Sequence, residues 1–347
     1  MKKNRFTSAL YIIIMLLIFT VAGYRLAVAP PAVKTDDFEK IKPETLVIGS
    51  GLPGDTYYLY AGSWASLSAE ALEIPVTVNL TDGSHHNLIL IQEGRIHLGM
   101  TTLGAAYEAW NGLENWTGGI EHKDIRSLFP MFNSYFHWIA DTESGITCLR
   151  DMEGKNVGSG PTAGTMGVYG PRIFSLLGIN ARLTYGGAGE LLEKQKKGDL
   201  AANGFASGIP VPAYREYEKS KGIKNVIFIG INSEERGRII ERWPYFSHTV
   251  IPAGTYGALA AELETVGIWS IAVAGKYLDD EVVYKIVKAV MENNKAMVSK
   301  GHMAAKETTA ENLTQLDFIP LHPGAVRYFK EMGFKIPAPL IPPEYAE

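Results

Sequence analysis

Apolar residues recur along this chain with two alternating periods, and each change of period marks an element. Thr45-Leu46-Val47-Ile48 is the short apolar run of a buried strand. Gly49-Ser50-Gly51-Leu52-Pro53-Gly54 follows as a turn that no regular element tolerates. Tyr57, Tyr60, Trp64, Leu67 and Ala71 then fall at spacings of three and four, which predicts a helix laying one apolar stripe on a sheet. Val76 to Leu80 predicts a second strand. Thr81-Asp82-Gly83-Ser84 is a turn in which Asp82 or Ser84 caps a helix through Asn87 to Glu93. A third strand is expected over Ile96 to Met100, ending at Thr101-Thr102.

The same order returns at Asn156-Val157, which leads into Gly158-Ser159-Gly160-Pro161-Thr162-Ala163-Gly164-Thr165. A helix, a strand near Arg182 to Tyr185 and a second glycine-rich turn at Gly186 to Gly189 come next. In both copies a threonine stands seven residues after the first glycine of Gly-Ser-Gly, Thr56 after Gly49 and Thr165 after Gly158. This is a duplication of architecture rather than of sequence, and it implies two α/β half-molecules with parallel sheets covered on both faces. Gly170-Pro171 either interrupts the helix begun at Thr165 or places Pro171 at a first helical position, leaving Met166 to Gly170 as a wide, ligand-facing loop. Lys224 to Ile231 and Ile268 to Ala274 predict further strands. A long amphipathic helix is expected from Asp279 to about Val298, with Val283, Val287 and Val290 on its apolar side.

Composition narrows the class. The chain has 347 residues, 46% of them hydrophobic, and a net charge of −4, which fits a globular protein of two ordinary domains or one large one and argues against a disordered chain or a nucleic-acid coat. Cys148 is the only cysteine, so no internal disulfide and no cysteine metal cluster forms, and it reads as a buried, inert thiol. Lys2, Lys3 and Arg5 precede an apolar run from Ala9 to Ala22, and Ala27-Val28-Ala29 supplies a peptidase site. Residues 1–29 are therefore expected to be a signal peptide, or a membrane anchor if uncleaved, with the body outside the cytoplasm. No cysteine follows the run, which disfavours a lipoprotein.

Ligands of open parallel sheets bind at the carboxyl ends of strands, where loops become helix N-termini. Both Gly-Ser-Gly loops occupy such places, and Gly51 and Gly54 let an anion approach backbone N–H groups without meeting a Cβ. Each hydrogen bond to a charged group is worth about 1.5–3 kcal/mol, so a few amides and hydroxyls from two halves suffice to clamp a small anion. Either loop alone reads rather as a tight strand-to-helix turn; the pairing is what suggests a site. Gly49-x-Gly51-x-x-Gly54 also fits a dinucleotide fingerprint, with Asp82 placed to meet a ribose, so a nucleotide-dependent enzyme is the rival reading. Export counts against it, and no phosphate-binding Gly-Lys-Ser/Thr is present. His85-His86 lacks metal-ligand spacing and reads as solvated or capping, no Gly-x-Ser-x-Gly elbow occurs, and Trp64 and Trp138 read as core. Tyr57 and Tyr58 suit core or ligand equally.

The ordered motifs Ile48-Gly49-Ser50-Gly51 with Thr56-Tyr57-Tyr58, Gly83-Ser84 with Asn87-Leu88, Tyr107 to Gly112, Gly160-Pro161 with Gly164-Thr165, Ile251 to Tyr256, Thr265 to Gly267 and Leu321 to Ala325 resemble the TAXI-type solute-binding receptors of tripartite ATP-independent periplasmic (TRAP) transporters. The resemblance covers most of the chain after the leader. It implies a type II periplasmic binding fold, two α/β lobes joined by hinge strands around a ligand cleft, with no enzymatic activity and no cofactor. Hinge crossings near Phe136 to Asp141 and Ile268 to Ala274 give residues 44–138 as the first part of lobe one, 139–267 as lobe two, and 268–347 as the return strand and helices on lobe one. By position the resemblance places ligand contacts on Thr56, Tyr57, Ser84, Thr102, Thr162, Gly164 and Thr165, joined here by Ser207. It implies a periplasmic receptor for a small carboxylate of the glutamate or 2-oxoglutarate kind, docking on TRAP membrane subunits or, alternatively, on a membrane signalling partner. Thr102-Leu103-Gly104 and Leu200 to Phe205 replace more polar family sequences, which leaves a monocarboxylate or a more apolar acid open as the solute.

Overall fold

A computed structural model describes residues 39–346, and Lys40–Glu347 form one compact unit. The expected leader, residues 1–29, lies outside the described residues. No helix among the described residues is long and apolar enough to cross a membrane.

The first half runs β1 (Leu46–Gly49), α1 (Thr56–Leu72), β2 (Val76–Asn79), α2 (Ser84–Gln92), β3 (Leu98–Thr102) and α3 (Leu103–Trp110). A long strand, β4 (Ile125–Asp141), leads to the second half: β5 (Asn156–Ser159), α4 (Thr165–Leu177), β6 (Arg182–Thr184), α5 (Ala188–Lys196), β7 (Ala202–Ser207) and α6 (Pro212–Lys221). β8 (Val226–Ile229), α7 (Ser233–Arg242), β9 (Ser247–Ile251) and the second long strand, β10 (Leu263–Gly275), follow. The chain closes with α8 (Asp280–Glu292) and α9 (Pro323–Glu331).

The duplication is visible in the strand order β2-β1-β3-β10-β4-β7-β5-β6. In each half the first strand lies between the second and third and is parallel to both. β4 and β10 pair antiparallel in the middle, from Gly267↔Tyr135 to Gly275↔Ile125. Each belongs to both halves. β10 pairs β3 over Ser270–Ala274 and β9 over Leu263–Gly267, while β4 carries β7 and β8 on its C-terminal end. Every residue of β4 except Tyr135 is buried, the near-continuous burial expected of a strand covered on both faces.

Local chemistry explains the element ends. Asp55 caps α1 by accepting from the Tyr57 N–H, and Tyr57, Tyr60 and Trp64 supply its buried stripe. Glu73 ends it in the left-handed conformation. β3 begins at Leu98, later than the apolar pattern suggested, because Ile96 still belongs to the turn after α2, its N–H turned to the Leu90 carbonyl. α4 runs unbroken through Pro171, so neither the interruption nor the wide loop forms; burial of Ile173, Phe174 and Leu177 outweighs the one missing N–H. Asp279 caps α8, which stops at Glu292 rather than near Val298; a separate turn, Asn294–Ala296, and a π-helical turn, Met297–Gly301, follow Asn293. The thiol of Cys148 is exposed rather than buried, as the N-cap of a short turn whose Asp151 accepts from the Cys148 N–H.

Candidate functional site

The loop after β1 is held from beneath by Asn87 of α2. Its Nδ2 donates to the carbonyls of Ser50 (3.0 Å) and Met100 (2.8 Å), and its Oδ1 accepts from Thr81 Oγ1 (2.7 Å). The side chain passes so close to β1 that a Cβ at Gly49 would lie 2.3 Å from Asn87 Oδ1. Glycine is therefore required there for space. Asn87→Leu would take the Nδ2 donor from the Met100 carbonyl and from the Ser50 carbonyl, which keeps the Thr81 hydroxyl, and we expect it to lower unfolding free energy by about 1–3 kcal/mol in urea titration. A loss below about 0.5 kcal/mol would show that the loop stands without it.

Three helix N-termini, those of α1, α2 and α4, converge on one cavity between the halves. Asp55, Tyr57, Asp82, Gly83 and Ser84 line it from the first half; Pro161, Gly164, Thr165, Met166, Phe205, Ala206 and Ser207 line it from the second. The enclosed space measures about 10 Å³, room for about one water molecule. The halves touch directly around it. Ser84 Oγ lies 2.9 Å from Thr165 Oγ1 and 3.3 Å from the Tyr57 hydroxyl, which in turn lies 2.8 Å from Ser270 Oγ. Ser207 Oγ donates to Asp55 Oδ1 (2.9 Å), Thr56 Oγ1 to the Gly208 carbonyl (2.9 Å) and the His85 N–H to the Ala163 carbonyl (3.1 Å).

Asp55 and Asp82 are the charged residues of the lining, which holds no lysine, arginine or histidine among the described residues. Burial raises the Asp55 carboxyl to about 6, against the opposing hydrogen bonds from Ser207 and the N–H groups of Tyr57 and Thr56. Burial also pushes the Tyr57 hydroxyl well above the usual phenol range, so it stays protonated and serves as a hydrogen-bond donor or acceptor. α2 and α4 begin at Gly83 and Gly164, and neither N-terminus carries a side-chain cap.

Of the residues singled out from the sequence, Tyr57, Ser84, Gly164, Thr165 and Ser207 come together on this cavity. The others stand outside its lining. Gly51 lies behind Asp55, and Gly54, with φ +91°, faces Ala213 of the opposite half. Thr56 is spent on the contact with Gly208. Thr162 is exposed, while Thr102 is fully buried with an Oγ1 that has no hydrogen-bond partner among the described residues. Asp55 and Ala206 line the cavity without having been singled out, while Met166 and Phe205 stand in segments read as facing the solute. An N-cap aspartate directly after a glycine loop was the available signal for the first of them.

A second constellation ties the halves together beside the cavity. Glu108 of α3, 2% exposed, accepts from Trp116 Nε1 (2.7 Å), the Tyr169 hydroxyl (2.9 Å), Arg172 Nη1 (2.6 Å) and the Tyr245 hydroxyl (3.1 Å). His85 is buried rather than solvated, packed edge-on against Trp116 with ring centroids 4.9 Å apart, and burial lowers its pKa. His86 Nδ1 accepts from the Asp82 N–H, a capping role.

Residues 48–333, a span that takes in both halves and both long strands, match the NMT1-like family. The chain belongs to that family. Among solved structures, the NMT1-like chain is similar to the periplasmic binding protein BugD at 13% identity and a TM-score of 0.50, covering 84% of this chain and 99% of that one. It is also similar to an ancestral arginine-binding protein bound to arginine, at 15% identity and a TM-score of 0.48 over 77% of this chain and 98% of that one. A substrate-binding protein of an amino acid ABC transporter aligns at 12% identity and a TM-score of 0.46, over 75% and 99%. The BugD likeness, together with the strand order and the paired crossings, shows the type II periplasmic binding fold.

Proposed function

We propose that this NMT1-like protein is a periplasmic solute receptor that captures a small carboxylate between its halves and delivers it to the membrane subunits of a TRAP-type transporter. One observation carries the reading: helix N-termini from two duplicated halves meet across a single cavity. The uncapped N-termini of α2 and α4 offer N–H groups to a carboxylate, and the hydroxyls of Tyr57, Ser84 and Thr165 add neutral hydrogen bonds. The TAXI resemblance supports the carboxylate and the TRAP partner. Lobe one, in this reading, comprises residues 44–138 and 268–347, and lobe two residues 139–267. They part by rotation about β4 and β10, because the closed cavity has no room for an organic acid and, among the described residues, only these two strands run through both halves.

A nucleotide-dependent enzyme using Gly49, Gly51 and Gly54 fits the geometry less well. A pyrophosphate at the N-terminus of α1 would meet the Asp55 carboxylate, which already caps that helix.

Thermal denaturation of the purified protein against small carboxylates and nucleotides separates the readings. A solute at 100 times its dissociation constant adds about 2.7 kcal/mol, roughly 4 °C for a protein of this size. Stabilisation by at least one carboxylate and by neither NAD nor ATP is the expected result. Stabilisation by a nucleotide and by no carboxylate would overturn the receptor.

A further inference from the structure

We propose that the outer face of α1 is a self-association surface, through which two copies of this chain pair antiparallel about a two-fold axis. This face is turned away from the buried stripe of Tyr57, Tyr60 and Trp64, so the inference is independent of the receptor reading. A groove of about 400 Å³ runs over it. Tyr58, Leu59, Leu67 and Val78 of β2 give the groove an apolar lining, with Tyr58 and Leu59 38% and 37% exposed. Gly62 lines it from mid-helix, where glycine is the poorest residue short of proline, yet a Cβ there would meet nothing within 4 Å. The described residues do not require that glycine; close approach by another backbone would. Ser63, 8% exposed, lines the same groove, and its hydroxyl has no hydrogen-bond partner among the described residues. A polar group brought into the groove satisfies it.

The charges select the occupant. Glu70 and Lys300 line the groove, both exposed, and neither has an ion-pair partner among the described residues. Lys300 belongs to the π-helical turn Met297–Gly301, whose Gly301 packs so tightly on α1 that a Cβ would lie 2.6 Å from Ser63 Oγ. Lys300 therefore stands beside the Leu59–Ser63 turn, while Glu70 lies about 12 Å beyond Gly62 along the helix, at about 1.5 Å per residue. An occupant must offer an anion at one end and a cation at the other. A second copy does so by itself. An antiparallel crossing at Ser66, midway between Gly62 and Glu70, sets each Glu70 against the Gly62 turn of the other copy, beside that copy's Lys300. The contact is isologous, so it closes after two chains.

Sedimentation equilibrium of the purified full chain, from about 1 to about 200 µM, tests this and is expected to show a monomer–dimer equilibrium. Glu70→Lys and Lys300→Glu should each raise the dimer dissociation constant about tenfold or more, because each turns two attractive pairs into repulsive ones. The double reversal, Glu70→Lys with Lys300→Glu, should bring it back to within about threefold of the wild-type value. Gly62→Leu should abolish pairing by filling the groove, without lowering the thermal midpoint, because its side chain enters open space. A chain that stays monomeric at the highest concentration overturns the proposal and leaves the groove to a different protein. Association that survives either single reversal or Gly62→Leu places the contact elsewhere and overturns it too, as does a double reversal that restores nothing.

Discussion

Glu108→Ala is expected to lower the unfolding free energy by about 3–5 kcal/mol, the usual cost of removing one partner from a buried charge cluster. The carboxylate and Trp116 belong to the first half; Tyr169 and Arg172 of α4, and Tyr245 beyond α7, belong to the second. Truncation removes the acceptor of the Trp116 indole and of two phenol hydroxyls, and leaves Arg172, 22% exposed, with Glu114 as its remaining carboxylate partner. Burial pushes the Glu108 carboxyl up, but the His85 and Trp116 side chains and the Arg172 charge more than offset this and hold it at about 2. A depressed carboxyl stabilises the fold above its unfolded value of 4.5, and that contribution is lost as pH falls through 2. The difference between wild type and Glu108→Ala in urea titration should therefore be large at pH 7 and shrink below about pH 4. Because the bonds cross between halves, the variant should also show a larger radius of gyration by small-angle X-ray scattering. An unchanged midpoint in urea would mean that Arg172 and the two tyrosines find water or other acceptors, and the cluster would then not be a fastening.

The sequence made the duplicated frame legible because its signals are local. Gly49 to Gly54 and Gly158 to Gly164 break two strand-to-helix passages at matching places, and the three-and-four spacing of Tyr57, Tyr60 and Trp64 names a buried face. What it concealed depends on contacts between residues far apart in the chain. Asp55 looks like an ordinary N-cap until β7 brings Ser207 to it. Glu108 looks like a solvated helical glutamate, since nothing local reveals Arg172 or Tyr245. The crossing strands were seen only in part: Phe136 to Asp141 and Ile268 to Ala274 are segments of strands that extend to Ile125 and Leu263. Period reading cannot fix ends within a run buried on both faces. Thr162 and Thr102 show the converse limit. Thr162 adjoins Pro161 of the lining yet is exposed, and Thr102, paired with Ser270 across β3 and β10, is fully buried outside the lining, because spacing along a turn or strand does not fix which side chains reach a cavity.

Asp55→Asn should make the protein more stable at neutral pH, by about 2–3 kcal/mol, and should give little or no gain near pH 4. The Asp55 carboxyl titrates at 3.8 when solvated and at about 6 in the fold, with burial as the cause. Between those values the folded state holds a proton that the unfolded state has released, so stability from this group falls as pH rises through the window and is lowest above about pH 6. Asparagine caps a helix about as well as aspartate, still accepts from the Tyr57 N–H and Ser207, and carries no charge to desolvate. Urea titration of both proteins at pH 7.5 and pH 4 checks the sign: a variant less stable than wild type at pH 7.5, or equally stabilised at both values, would show that the carboxylate is not held at a cost. The window is distinct from that of Glu108, which is lost only at lower pH, so the two groups can be separated in one protein by pH alone.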